Sequence, residues 1–305
     1  MGHMMKKILV IGSLNVDMVV NVPHMPAAGE TILAGNMELV PGGKGANQAY
    51  AAGRLGARVT MFGAVGADSY AEIEKNSLAS VGVDTSRLLV REGKSTGLAW
   101  ITVNSAGDNS IVVIPGANAT VTEQDIADNE NLIWDCDILL CQLEIPLETV
   151  VYAAQCAKKA GKTVILDPAP APREFPEELF SYIDIIKPNE TEASQLLSEQ
   201  VKNYEEAADK LRAKGVKNVL VTLGSKGAYV NSETEGKHLL PVRPVPVVDT
   251  TAAGDSFTAA LAVRLASGSS LVQAARYANE VASIVVTRRG AQTSIPSAAE
   301  VRFDD

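Results

Sequence analysis

Histidine is nearly absent from this chain: three in 305 residues, none in a pattern that catalysis commonly uses. His3 lies in the first four residues, His24 in a proline-rich turn and His238 beside a strand-like run. There is no H-E-x-x-H and no Cys/His cluster, which excludes the common zinc hydrolases. A Ser-His-Asp triad would need His24 or His238, and no G-x-S-x-G elbow presents a serine. The G-x-G-x-x-G dinucleotide fingerprint is missing as well, which argues against a nicotinamide dehydrogenase. Gly93-Lys94-Ser95 resembles the end of a phosphate loop, but Leu88 stands where that loop requires its first glycine.

Cysteine is scarce too. Cys136, Cys141 and Cys156 form an odd, scattered set without a C-x-x-C pair, which fits a reducing, cytoplasmic setting and not a disulfide scaffold. Aromatic residues make up 5%, which disfavours the aromatic wall that a nucleoside base would want. No apolar run approaches the ~20 residues that span a bilayer. Lys6 and Lys7 precede an apolar stretch as in a signal peptide, but Asn15 and Asp17 break it early, and a first β-strand is the better reading. Met1-Gly2-His3-Met4 reads as an expression scar and is set aside. Basic residues are outnumbered, 27 against 36 acidic, and the net charge of −9 repels nucleic acid and anionic membranes. A small anionic ligand stays compatible, because backbone dipoles at a helix start overrule the mean field locally.

What is present suits a sizeable core, with 46% hydrophobic and 21% charged residues. At ~150 residues per domain the length allows two domains, or one large α/β domain with a small appendage. Short apolar runs at 6–11, 59–62, 138–141, 163–166, 183–186 and 219–222 alternate with helical stretches at 46–55, 70–80, 147–160 and 205–213. This pattern predicts a mostly parallel sheet covered by helices on both faces, with ligands beyond the carboxyl ends of its strands. β-rich stretches at about 15–20, 31–41 and 98–114 fall outside the alternation. They read as a small sheet inserted into an α/β body spanning 5–305.

The most informative segment is Val248-Asp249-Thr250-Thr251-Ala252-Ala253-Gly254-Asp255-Ser256-Phe257, before an alanine-rich helix. Small residues at a helix start let a substrate approach the backbone. The N–H groups of Ala252, Ala253 and Gly254 would then form a pocket for developing negative charge. Bound phosphate would repel Asp255, so a carboxylate there suggests proton abstraction from an incoming hydroxyl. Its plain alternative is a favourable interaction with the helix dipole. Pro41-Gly42-Gly43-Lys44-Gly45-Ala46-Asn47 opens another helix, with Lys44 and Asn47 as donors and a flexible surface turn as the alternative. In Gly12-Ser13-Leu14-Asn15-Val16-Asp17, Asn15 and Asp17 share one side of an extended segment, which suits vicinal hydroxyls, though an Asx turn is the simple competitor. Glu144, Lys187-Pro188-Asn189-Glu190-Thr191-Glu192 and Thr222-Leu223-Gly224-Ser225-Lys226-Gly227 each follow a strand. The glutamates at 190 and 192 either favour a helix N-terminus or organise a magnesium shell.

Taken together, G-S-L-N-V-D, G-G-K-G-A-N, K-P-N-E-x-E and D-T-T-A-A-G-D-S-F, in this order, resemble the ribokinase-like carbohydrate kinase family over the whole chain after residue 4. The resemblance implies a Rossmann-like αβα sandwich with a small β lid that closes over a sugar and pairs into a homodimer. It implies ATP-dependent phosphorylation of D-ribose at its 5-hydroxyl. Asp255 would be the base and Ala252, Ala253 and Gly254 the anion hole. Asn15, Asp17, Gly43, Lys44, Asn47 and Glu144 match sugar-binding positions. Asn189, Thr222, Gly224, Ser225, Lys226, Gly227, Gly254 and Asn279 match nucleotide-binding ones. Glu192 matches an acidic position associated with Mg2+, and Asp249, Thr251, Val285, Arg288, Gly290 and Ser294 match an activating K+ site. Ala252 departs from the family's usual glycine, so the backbone there is the point to check. Another sugar or nucleoside acceptor, or a non-catalytic sugar-binding regulator, is the competing reading.

Overall fold

The computed structural model describes residues 6–303, so the tetrapeptide read as an expression scar lies outside the described residues. In chain order the strands are β1 (Lys7–Ile11), β2 (Asn15–Asn21), β3 (Met37–Gly42), β4 (Arg58–Phe62), β5 (Ala64–Gly66), β6 (Leu89–Arg91) and β7 (Gly97–Val103). They continue as β8 (Asn109–Ile114), β9 (Ile138–Cys141), β10 (Thr163–Leu166), β11 (Ile185–Ile186), β12 (Asn218–Thr222), β13 (Ala228–Ser232) and β14 (Gly236–Leu240). The main sheet runs β14-β13-β12-β11-β10-β9-β1-β4. It is parallel from β4 to β12 and ends in the antiparallel hairpin β13–β14.

Strand β1 shows why helices cover both faces. Its side chains alternate, and Ile8 and Val10 join one core while Leu9 and Ile11 join the other. The first core packs against Ala49, Ala52, Leu261 and Ala278, and the second against Val150, Ala154, Leu179 and Phe180. No helix among the described residues is long and apolar enough to cross a membrane.

A separate four-stranded sheet, β3-β2-β7-β8, carries the β-rich stretches that break the alternation. Two boundaries differ from expectation. The stretch read as extended from 31 pairs only from Met37, because Gly35 and Asn36 turn the chain back onto Asn21 and residues 31–34, exposed except for the half-buried Ile32, have no ladder partners. The glycine-rich helix starts at Lys44 instead of Ala46, since Gly43 already occupies the cap position. At Gly43 φ is +80°, and a Cβ there would lie 2.8 Å from the Asn15 nitrogen. Only glycine meets both demands.

Candidate active site

The site lies beyond the carboxyl ends of β1, β9, β10, β11 and β12, as parallel sheets dictate. Strand β1 leads into Ser13 and Asn15, β9 into Gln142 and Glu144, β10 into Asp167, and β11 into Lys187. Opposite them start the helices Lys44–Arg54 and Ala253–Ala266.

Asp255 sits in the first turn of the second helix, 6% exposed. Its two oxygens accept from Asn47 Nδ2 and Gln48 Nε2, each at 3.1 Å. The Asp255 charge holds the Lys44 ammonium well above the usual lysine range, against the opposing effect of burial, with Asp167 and Glu144 adding. Glu144 Oε2 accepts from Ser13 Oγ at 2.5 Å and from the Lys44 N–H at 3.0 Å, tying the end of β1 to the helix start. Burial raises the Asp17 carboxyl to about 7, with the charges of Glu144 and Asp255 contributing. Asn15 turns its Oδ1 to Asn118 Nδ2 at 2.8 Å. Asn15, Asp17, Gly43, Lys44, Asn47, Glu144 and Asp255, far apart in sequence, therefore converge.

Backbone geometry corrects one expectation. Ala253 N–H is not free, since it donates to the Thr250 carbonyl at 3.2 Å. The donors left to the cradle are Ala252 and Gly254, beside the cationic Lys187, whose Nζ lies 3.4 Å from the Gly254 carbonyl. Ala252, the departure from the family pattern, holds φ +59°. A left-handed residue with a Cβ costs ~1 kcal/mol or more. Ala252→Gly is therefore expected to stabilise the protein by about 0.5–1 kcal/mol and raise Tm by ~1–3 °C in a thermal melt. A lower Tm would contradict the strain.

A cavity of about 780 Å³ continues from Asp255 past Lys44, Asp167, Lys187, Asn189 and Glu192 to Thr222, Gly224, Ser225, Gly227 and Asn279. That is the size of a nucleotide-class pocket. Lys226, expected among the nucleotide contacts, is exposed and outside this lining, because the 3-10 turn Gly224–Lys226 points it to solvent. Asn279 ties β14 to its helix, donating to the Leu240 carbonyl at 3.0 Å. A larger hollow of about 1160 Å³ near Arg276 and Phe303 is also polar, but its lining does not include Asp255, Lys44 or the residues at the start of the Ala253–Ala266 helix.

Asn189 and Glu192 form a reciprocal capping box, both bonds 2.8 Å, so the helix-start reading of Glu192 holds in this geometry. Burial also raises the Glu192 carboxyl. Asp167 lines the same cavity and keeps a buried Oδ1 without a hydrogen-bond partner. Hard oxygen donors of this kind fit magnesium held largely through water. In the loops expected to hold K+, Asp249 accepts from Thr251 N–H and Gly290 N–H, both at 2.9 Å, and so clamps 249–251 to 288–290. The Val285 carbonyl accepts from Arg288 N–H, and Ser294 O from Arg288 Nη1 at 3.5 Å, so these residues do come together.

Sequence reasoning passed over Gln48, Gln142, Asp167 and Gln292. Asp167 directly follows a strand, the same signal that picked out Glu144. Gln48 stands one residue after a motif already identified.

Comparison with known proteins gives matching results. The sequence profile described as pfkB family carbohydrate kinase matches residues 5–298. A ribokinase of Haemophilus influenzae is 42% identical over 300 residues, covering 97% of each chain. A deoxyribokinase of Salmonella typhimurium is 38% identical over 293 residues, 95% of each. The structure of Arabidopsis thaliana ribokinase complexed with ribose and ATP superposes with a TM-score of 0.92 at 36% identity, covering 98% of both chains.

Proposed function

The chain belongs to the pfkB family of carbohydrate kinases, and from that premise we propose that it transfers the γ-phosphoryl group of ATP to the 5-hydroxyl of D-ribose, giving D-ribose 5-phosphate and ADP. One observation carries the reading: Asp255 is buried where a cleft rich in carboxylates meets a nucleotide-sized cavity.

Phosphoryl transfer asks the protein for positioning and charge balance more than for covalent help. Asp17, Asn15 and the Glu144 carboxylate hold the sugar hydroxyls, and Asp255 accepts the proton of the 5-hydroxyl as its oxygen attacks the γ-phosphorus. The bond from that phosphorus to the β-phosphate oxygen breaks, and ADP leaves. Lys44, Lys187 and the N–H groups of Ala252 and Gly254 take up the charge that develops. Asn189, Thr222, the 224–227 turn and Asn279 cradle the nucleotide. Glu192 and Asp167 would hold magnesium, largely through water, which would supply charge neutralisation at the phosphates. The loops that Asp249 clamps to Gly290 would hold potassium, which would supply positive charge beside the chain leading into Ala252–Gly254.

The four-stranded sheet acts as a lid that shuts water out. Its Met37, Leu39, Trp100, Val112 and Ile114 share one side of the sheet and are 40–59% exposed, an apolar face that a second copy of the chain would cover in a homodimer. Three buried free thiols support a reducing, cytoplasmic setting. The deoxyribokinase relative makes deoxyribose the second candidate acceptor.

Coupled ADP release over ribose, deoxyribose, fructose, adenosine and pseudouridine, run in potassium and again in sodium, tests the reading. Ribose should give the largest kcat/KM, and potassium the higher rate. Equal turnover with the other acceptors would overturn the substrate assignment.

A further inference from the structure

Three glutamines lie in the interior around Asp255, with Gln48 and Gln142 0% and Gln292 2% exposed. A buried amide is costly unless its donors and acceptors are met, so their orientations carry information. A carboxylate only accepts hydrogen bonds. Asn47 must therefore turn its NH2 to Asp255 Oδ2, which leaves its oxygen facing Gln292 Nε2 at 3.3 Å. Gln292 in turn presents Oε1 to the Ser77 hydroxyl at 2.5 Å. On the other side, Gln48 gives one NH2 to two carboxylates, Asp255 Oδ1 at 3.1 Å and Asp167 Oδ2 at 2.9 Å. Its own oxygen accepts from Gln142 Nε2 at 2.6 Å. Each line points donors in one direction, toward Asp255.

We propose that these two lines of amides, Ser77–Gln292–Asn47 and Gln142–Gln48, are positioning devices that hold Asp255 in one rotamer, ready to take a hydroxyl proton. The inference rests on Asp255 being the base. Each Asp255 oxygen receives one of the two N–H donors, so the carboxyl plane is fixed from both sides and its rotation is restrained. Ser77 is the outer end of the longer line. It lies on the helix Ser69–Ser80, well outside the cleft.

Other charges also face Asp255: Lys44 from its own helix start, Asp17 from β2, Glu144 after β9, Asp167 after β10 and Lys187 after β11. None of them is altered by changing Gln292 or Ser77, so an effect of those changes reports on the amide line.

The test measures kcat and ribose KM for Gln292→Met, Ser77→Ala, Gln48→Met and Asp255→Asn, with thermal melts alongside. Gln292→Met and Gln48→Met should lose ~10-fold or more in kcat, with ribose KM within ~3-fold. Ser77→Ala, which leaves every group near the substrate in place, should show the same split at several-fold. Wild-type kcat in Gln292→Met and Ser77→Ala, or a rise in ribose KM that matches the fall in kcat, would overturn the proposal, whatever the melts show. Full turnover by Asp255→Asn would instead overturn the base assignment itself, so the two failures are told apart in one experiment.

Discussion

Asp255→Asn is expected to lower kcat at least ~10²-fold while ribose KM stays within a few-fold. Asparagine keeps the size and planarity of the side chain, so the helix start and the sugar pocket remain. What it removes is the carboxylate that receives both Asn47 and Gln48. An amide cannot accept a proton from an alcohol at neutral pH, and general-base contributions of this kind are worth ~10²–10⁴-fold. Residual turnover would come from the cations and N–H groups that still neutralise the phosphate. Coupled ADP release at saturating ribose and ATP measures it. Unchanged kcat would remove Asp255 from the proton transfer.

The second large effect belongs to Asp17, and it falls on binding. A charged acceptor for sugar hydroxyls is worth about 1.5–3 kcal/mol, so Asp17→Asn should raise ribose KM ~10–100-fold with kcat little changed. Because its carboxyl is raised to about 7, wild-type kcat/KM for ribose should fall as pH drops below that value. Asp17→Asn should lack that limb. Stability without ligand follows the opposite sense. With the folded value above the ordinary one of 3.8, the protonated form suits the fold. That contribution is fully present below about 3.8 and is lost as pH rises through about 7. The ligand-free Asp17→Asn protein should thus be more stable than wild type at pH 8, by roughly 1–3 kcal/mol, and equal to it near pH 3.5. Denaturant titration at the two pH values checks this. A less stable variant at pH 8 would mean the carboxylate is better solvated than its surroundings indicate.

Much of this was legible before any coordinates. The alternation of doubly apolar strands with helices specifies a parallel sheet, and such a sheet dictates where polar residues become useful. Asp17, Lys44, Glu144 and Asp255 were found by that rule and by their motifs. The antiparallel hairpin Ala228–Leu240 was not, because His238 and Lys237 interrupt its apolar pattern on an exposed edge. The role of Ala253 N–H was misjudged for a local reason, since the left-handed turn at Ala252 folds that donor back onto Thr250.

The amides were invisible for a different reason. Gln48, Gln142 and Gln292 are separated by up to 244 residues and meet only in the folded core. No spacing in one sequence distinguishes a buried glutamine from a solvated one. The strand-end rule does reach Asp167 and Lys187, whose 3.0 Å ion pair lines the same cavity as Asp255.

A crystal structure of the protein with ribose and a non-hydrolysable ATP analogue tests the central claim most directly. The ribose 5-hydroxyl should lie about 2.6–3.2 Å from an Asp255 oxygen and in line with the terminal phosphorus. A 5-hydroxyl turned away from Asp255, or hydrogen-bonded to another carboxylate instead, would contradict it.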